Sequence, residues 1–370
     1  MGCLSHTPMI SSKTRQFITF VLMRWFGQAI LAIMVCSVLE CRGDNILHMA
    51  DSLIVSNKVV KEGIKTYNWV EKVFNTYDTA YVAGMTNDFY LTLYSKNWLE
   101  KYRLNFRQGG HMNLSSDVMT NIGLDISWRF ISVGYDENLN KFFNGYERRQ
   151  RSFNLTINSA LLNFNFYIQN NRLTADMNSF STPAIVYPYS VRFNGMRTNR
   201  WGLNVCYFIK NRRYSQAAAF TYTRFQTKSA GSFFIGAAFY DNKYVFDFST
   251  LPDEVVDNLP SVMENHTYRA HLRDYFLAGG YAFNWVLSQR LMIGVSESPL
   301  IGYRSGYVNP NTQSKFSFGN YLRLSVIYNI NRFFIGGQGD LYSSYVRDRD
   351  VNLVENVITF RISVGCHFSI

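Results

Sequence analysis

The chain ends on Val354-Glu355-Asn356-Val357-Ile358-Thr359-Phe360-Arg361-Ile362-Ser363-Val364-Gly365-Cys366-His367-Phe368-Ser369-Ile370. Val354, Ile358, Phe360, Ile362, Val364, Phe368 and Ile370 share one parity, broken by Asn356 and Cys366. The other parity holds Glu355, Thr359, Arg361, Ser363, Gly365, His367 and Ser369, with Val357 as its apolar exception. Successive side chains of a strand point to opposite faces, so this stretch is a strand with one oily and one mostly polar side. It is far longer than the roughly 5–6 residues usual in soluble sheets. Such a strand fits the wall of a barrel that crosses a membrane, apolar outward and polar inward.

Composition agrees. Aromatic residues make up 16% of the 370-residue chain and charged residues only 17%, while mean hydropathy is close to zero. A helical membrane protein would show long apolar runs, and none of eighteen residues follows residue 40. A barrel hides its apolar content in alternation and places aromatic girdles at the two interfaces. The formal charge is +11. The Lys and Arg are scattered among strands and turns without a dense stripe, which argues against a nucleic-acid surface. Anionic outer-membrane lipid and lipopolysaccharide are the expected partners of this charge.

Residues 1–41 read as an export signal. Lys13, Arg15 and Arg24 precede the apolar run Ala29–Val35, and Met23-Arg24-Trp25 would itself make a compact start. Residues 42–86 are expected to form a short periplasmic helical segment. Val60, Ile64, Tyr67, Val70, Phe74 and Tyr77 keep helical spacing, and Lys58, Lys61, Glu62, Lys65 and Glu71 take the other face. Packing on the rim is the expected placement, with a plug inside the barrel as the alternative. Residues 87–370 read as strands and turns. Strands are expected near 87–97, 100–109, 118–134, 151–168, 199–210, 214–226, 231–241, 274–288, 290–303, 314–329, 332–346 and 353–370. Alternation is clean for Trp201, Leu203, Val205, Tyr207 and Ile209, and weak over 214–241. Connections alternate long (346–353, 303–313, 241–273) and tight (329–331, 288–289, 226–230), which places both termini at the same, periplasmic, end. The fold class is therefore all-β: a transmembrane antiparallel β-barrel of about twelve strands, with ten and fourteen as neighbours.

Two resemblances follow. A last strand ending on Phe368 and Ile370 resembles the closing strand of outer-membrane barrels. That likeness implies that Phe360, Ile362, Val364, Phe368 and Ile370 form the signal read by the barrel-assembly machinery. Ile122-Gly123, Trp128-Arg129-Phe130 and Gly134-Tyr135 form one set of motifs. Ile209-Lys210-Asn211-Arg212-Arg213-Tyr214-Ser215, Ala217–Phe220 and Gln226–Ser232 form a second. Together they resemble a Bacteroidota family of unknown function, DUF4421, over roughly 78–370. The resemblance implies a Bacteroidota outer-membrane barrel and brings no activity, ligand or catalytic residue.

Candidate chemistry is sparse. Arg323, Gln338, Asp340, Glu355 and Arg361 lie on the polar parities of the last three strands. Adjacent antiparallel strands would bring Asp340 near both Arg323 and Arg361. Charges in such a wall must be paired or wet. They form either a ladder that stiffens a narrow barrel or a charged constriction that selects solutes by sign. His367 and Ser369 resemble the pair of an outer-membrane lipid hydrolase but lie on the lumen parity. His266 and His271 lie in the 241–273 loop beside Glu264 and Asp274, without the spacing of a metal site. No cofactor motif or metal site is found. Cys206 and Cys366 are expected on opposite sides of the wall. Three functional classes remain: a pore or transport barrel, a closed structural or interaction barrel working through its outer loops, and, last, a hydrolase, for which no coherent catalytic set exists. The ligand stays unidentified.

Overall fold

A computed structural model describes residues 69, 74–83, 89–139, 149–260, 263, 266–308, 311–347 and 351–368. The export signal and nearly all of the proposed helical segment lie outside these residues, as does Ile370. Of that segment Trp69 and Phe74 are described and are helical, and from Asn75 the chain turns into β1 (Val82–Ala83).

The wall is a closed antiparallel barrel, and its first and last long strands zip together. β2 (Phe89–Phe106) pairs with β16 (Val351–Phe368) from Phe89↔Phe368 to Phe106↔Val351. The end carrying Phe89 and Phe368 is called lower here. From β2 the chain turns at 107–110, where Gly109 and Gly110 have φ of +102° and +95°. A Cβ on Gly110 would collide with the Ser181 carbonyl, so this tight turn requires glycine. The chain returns as β3 (His111–Ser116) and β4 (Met119–Trp128), which lie end to end along β2. β5 (Ile131–Asn138) and β6 (Arg149–Asn158) form a short hairpin, followed by the long β7 (Leu162–Ser181). After β8 (Val186–Tyr187) comes β9 (Val191–Phe208). The rest is β11 (Ala230–Asp247), β12 (Thr267–Val286), β13 (Leu291–Val308), β14 (Asn311–Ile330), β15 (Phe333–Val346) and β16, each paired with the next.

The ring changes size along its length. Its lower half contains twelve strands: β2, β4 to β7, β9 and β11 to β16. Above the β5–β6 hairpin, β3 pairs directly with the upper part of β7, from His111↔Ser181 to Ser116↔Ala175. The upper ring therefore has ten strands. Barrel diameter grows with strand number, so the wall tapers upward.

Twelve strands agrees with the sequence, although the strands differ from those expected. Residues 87–97 and 100–109 are one strand. Residues 118–134 and 151–168 each contain two, divided by tight turns at 129–130 and 159–161. Residues 214–226 are no wall strand. The expected long connection 303–313 is nearly all strand, because β13 and β14 stay paired up to Val308↔Asn311. The 241–273 loop shrinks to 248–266, since β11 and β12 remain paired up to Asp247↔Thr267. Lower connections are tight except 209–229.

Parity held. Ile358, Phe360, Ile362 and Val364 are exposed on the outer face, while Glu355, Thr359, Ser363 and His367 are buried in the lumen. Trp201 and Tyr207 on β9, Tyr275 and Trp285 on β12, and Phe316 and Tyr328 on β14 extend the same exposed belt. A belt of this kind is stable only against hydrocarbon. No described helix is long and apolar enough to cross a membrane; the strands do so, each backbone group paired with its neighbours'.

Candidate functional site: a chamber inside the barrel

The lower mouth is stoppered by residues 209–229. Within them lies α1 (Gln216–Phe220), a single buried helical turn. Ser215 caps it, its hydroxyl accepting from the Ala218 N–H at 3.2 Å. Ala218, Ala219, Phe220 and Tyr222 pack on the lumen-facing Met292, Ile327 and Phe334. Gln226, on β10 (Phe225–Gln226), ties this stopper together. Its Oε1 accepts from the Ser215 N–H and from Asn284 Nδ2 of β12, and its Nε2 donates to the Arg213 carbonyl. β1 pairs with β10. The Asp78 N–H donates to the Arg212 carbonyl, and the Thr227 N–H to that of Tyr81, so the N-terminal residues clasp the stopper from below.

The upper half of the lumen is closed differently. Tyr102, Leu104, Met112, Met177, Phe193, Met196, Phe246 and Leu353 point inward from six strands and meet in one apolar cluster. Phe248, Leu251, Val255 and Met263 of the 248–266 loop join it. This loop holds α2 (Asp253–Val256).

Beneath the cluster, polar side chains cross the lumen. Arg200 of β9 reaches Glu355 of β16 at 2.6 Å and Glu100 of β2 at 3.1 Å, and all three are buried. The hydroxyls of Tyr244 and Tyr102 donate to Glu355 and Glu100 respectively, and Asn171 Nδ2 donates to Glu100. Arg304 and Asp274 form a second buried pair on adjacent strands. Taking charge out of water is costly, and only this dense pairing makes such a layer tolerable.

Between the crossing layer and the stopper lies a chamber of about 310 Å³. Tyr167, Tyr240, Tyr321 and Tyr342 form its roof, with ring centroids 5.8–6.5 Å apart along the chain of contacts. Gln216, Phe220 and Thr221 of the stopper form its floor. Three ion pairs line the walls: Lys96 with Asp136, Arg323 with Asp340 at 3.0 Å, and Arg361 with Asp125. The Arg323 guanidinium also lies 3.9 Å above the Phe220 ring. The rest of the lining is rich in amides and hydroxyls, among them Asn154, Asn165, Gln169, Asn204 and Ser298.

The expected charge cluster is thus split. Arg323 and Asp340 are directly opposite one another and paired. Arg361 does not join them. Its Cα partner on β15 is Gln338, whose amide donates to Asp340. The Arg361 guanidinium leans the other way, 3.6 Å over Tyr94 of β2, to Asp125 of β4. Glu355 belongs to the crossing layer above. Sequence reasoning missed Glu100, Arg200, Asp125, Asp136 and Arg304, and weighed Asp274 only beside the loop histidines. Strand parity marks each as inward-facing, but the Arg200 contacts span non-adjacent strands that no local register connects. His271, expected in a loop, lies on β12 with Asp274. His271 faces outward beside Asp241, with Nε2 at 2.9 Å from Oδ1. No cluster of three metal-ligating side chains occurs among the described residues. His367 is buried in the lumen between Tyr90 and Phe334. Cys206 lines the chamber, while Cys366 takes the outer parity of β16.

A family model described as a domain of unknown function, DUF4421, matches residues 76–368. No curated protein matches the chain in sequence. Among solved structures, the translocator domain of the autotransporter NalP from Neisseria meningitidis is 11% identical, covering 77% of this chain and 90% of that one at a TM-score of 0.33. The outer-membrane protease OmpT from Escherichia coli is 10% identical, with coverages of 78% and 98% and a TM-score of 0.33. The toluene transporter TodX from P. putida is 8% identical, with coverages of 80% and 96% and a TM-score of 0.28. The fold described here rests on the chain's own strand pairing.

Proposed function

The chain belongs to the DUF4421 family, and from that premise and its lumen we propose that it is an outer-membrane barrel with an occluded interior, working by binding rather than by free diffusion. One observation carries this reading: Arg200 of β9 spans the lumen to Glu100 and Glu355 on the adjacent strands β2 and β16, between two sealed ends. A diffusion pore needs a continuous wet path, whereas here the charges lock the wall to itself. The expected ladder and the expected constriction differ in this respect, and paired, buried charges favour the ladder. Single-channel recording from the refolded mature protein in a planar bilayer tests the proposal. The expected record is silent, with folding verified by a heat-modifiable gel shift. Steady current from the folded wild type would reject occlusion and restore the pore reading.

Location in the outer membrane fits the apolar belt, and barrels of this kind reach it through a closing strand such as β16. On this reading the lower end and both termini face the periplasm. The outward Phe360, Ile362, Val364 and Phe368, with Ile370, engage the assembly machinery, and lipopolysaccharide meets the end opposite the termini. Bacteroidota origin follows from the motifs alone. A second reading, recognition of a surface partner by the upper loops, is favoured by the polar outer face above the belt, where Asp241 meets His271 and Arg273.

A further inference from the structure

We infer that the chamber is a binding site for a small, uncharged, polyhydroxylated molecule, of the size of one or two sugar rings. This deepens the occluded-barrel reading and rests on it. The volume of about 310 Å³ falls at the low end of small-molecule pockets, roughly 300–1,000 Å³. Charge complementarity argues for a neutral guest. Lys96, Arg323 and Arg361 each already face a carboxylate, as does Arg200 in the layer above. An ionic guest would have to break one of these pairs. An apolar guest would strip water from amides and hydroxyls without replacing their hydrogen bonds.

Three side chains of the lining each bury a polar atom that has no hydrogen-bond partner. Gln169 is only 3% exposed, lines the chamber, and its Nε2 has no hydrogen-bond partner. The Tyr342 hydroxyl and Asp125 Oδ1, also in the lining, have none either. Turned toward the chamber, these closed-off atoms would supply a donor, a hydroxyl able to act both ways, and an acceptor. A buried polar group without a partner is costly, and a polyol matches this mixed set because each of its hydroxyls donates and accepts. The tyrosine roof adds flat apolar surface against which the C–H face of a sugar ring packs.

The test avoids any dependence on the entry route. The full mature chain is refolded from urea into detergent micelles with glucose or maltose present, desalted, and weighed by native mass spectrometry. Glucosamine and glucuronate serve as charged counterparts. One neutral sugar retained per folded barrel is expected, with about a tenfold fall in Gln169→Leu, the loss of one buried hydrogen bond, and a smaller fall in Tyr342→Phe. Both variants are accepted only if they show the gel shift of the folded barrel. Loss of folding in one leaves the other, and the wild-type comparison among sugars, to decide. No retained sugar, equal retention of the charged analogues, or undiminished retention in both folded variants would overturn the inference. Bilayer recordings on the same preparation separate the failures. A silent, empty barrel sinks only the ligand, and a conducting one sinks the occluded reading beneath it.

Discussion

The two seals of the lumen are built on opposite principles. The upper seal is built mainly from the wall: Leu104, Phe193, Phe246 and Leu353 belong to barrel strands, with the 248–266 loop packed onto them, so it cannot open fully without distorting the sheet. The lower seal is an insertion. Residues 209–229 leave β9, fold inward as one helical turn, and rejoin the sheet at β11, held by Gln226, Asn284 and the clasp of 78–83. Interiors packed from wall residues transmit strain to the whole domain. An inserted segment can be displaced as a unit at a lower, local free energy. The lower mouth is therefore the one suited to open, and the upper seal is a permanent part of the fold.

This contrast can be broken in stages. The largest effect is expected from Arg200→Ala, which leaves Glu100 and Glu355 buried without their cation. Loss of one partner of a buried pair costs about 3–5 kcal/mol, to be read as a lowered urea midpoint, and the surviving folded barrel should stay silent in bilayers. Leu353→Ala in the upper cluster should cost about 2–5 kcal/mol by cavity formation, again without current. Current through either variant would show that the upper seal opens separately from the wall. Ser215→Ala removes the cap of α1 and should cost about 1 kcal/mol. The gel shift should survive, while brief channel openings appear. A Ser215→Ala barrel that unfolds as readily as Arg200→Ala would make the stopper as integral as the upper cluster. Cysteine labelling, with no stability change, sharpens the contrast last. Cys366 should react with lipid-phase maleimides at one rate in all variants. Cys206 should react with aqueous ones slowly in wild type and faster in Ser215→Ala.

The sequence carried more of the wall than of the interior. Parity alone placed Phe360 outward and Glu355 inward, because a period of two survives any error in strand ends. Strand ends themselves were poorly legible. Twelve emerged because merging 87–97 with 100–109 and losing 214–226 offset the splitting of 118–134 and 151–168. The stopper had a readable signal. Ser215 before Gln216-Ala217-Ala218-Ala219 is a helix cap followed by strong helix formers, and the absence of alternation there was a mark of helix rather than of a weak strand. The Arg323–Asp340 pair was legible because hairpin register brings neighbouring strands together. The Arg200 bridge was not. Its partners lie on β2 and β16, across the lumen, and only closure of the ring brings them within reach.

The drop from twelve strands to ten also fixes a depth. Where β5 and β6 stop, the wall contains the equivalent of a dislocation in a lattice: two rows end inside a continuous sheet. Where a row of a sheet ends, its outermost backbone groups need partners from outside the sheet. Hydrocarbon offers nothing in exchange, while water and headgroups do. The hairpin can therefore end only where the bilayer has already ended. Its topmost cross-strand contact agrees, since Arg151 and Glu137 form an outward-facing ion pair at 3.2 Å, Glu137 one residue below the end of β5. The missing strands thus act as a waterline written into the backbone, with the upper seal on the far side of it.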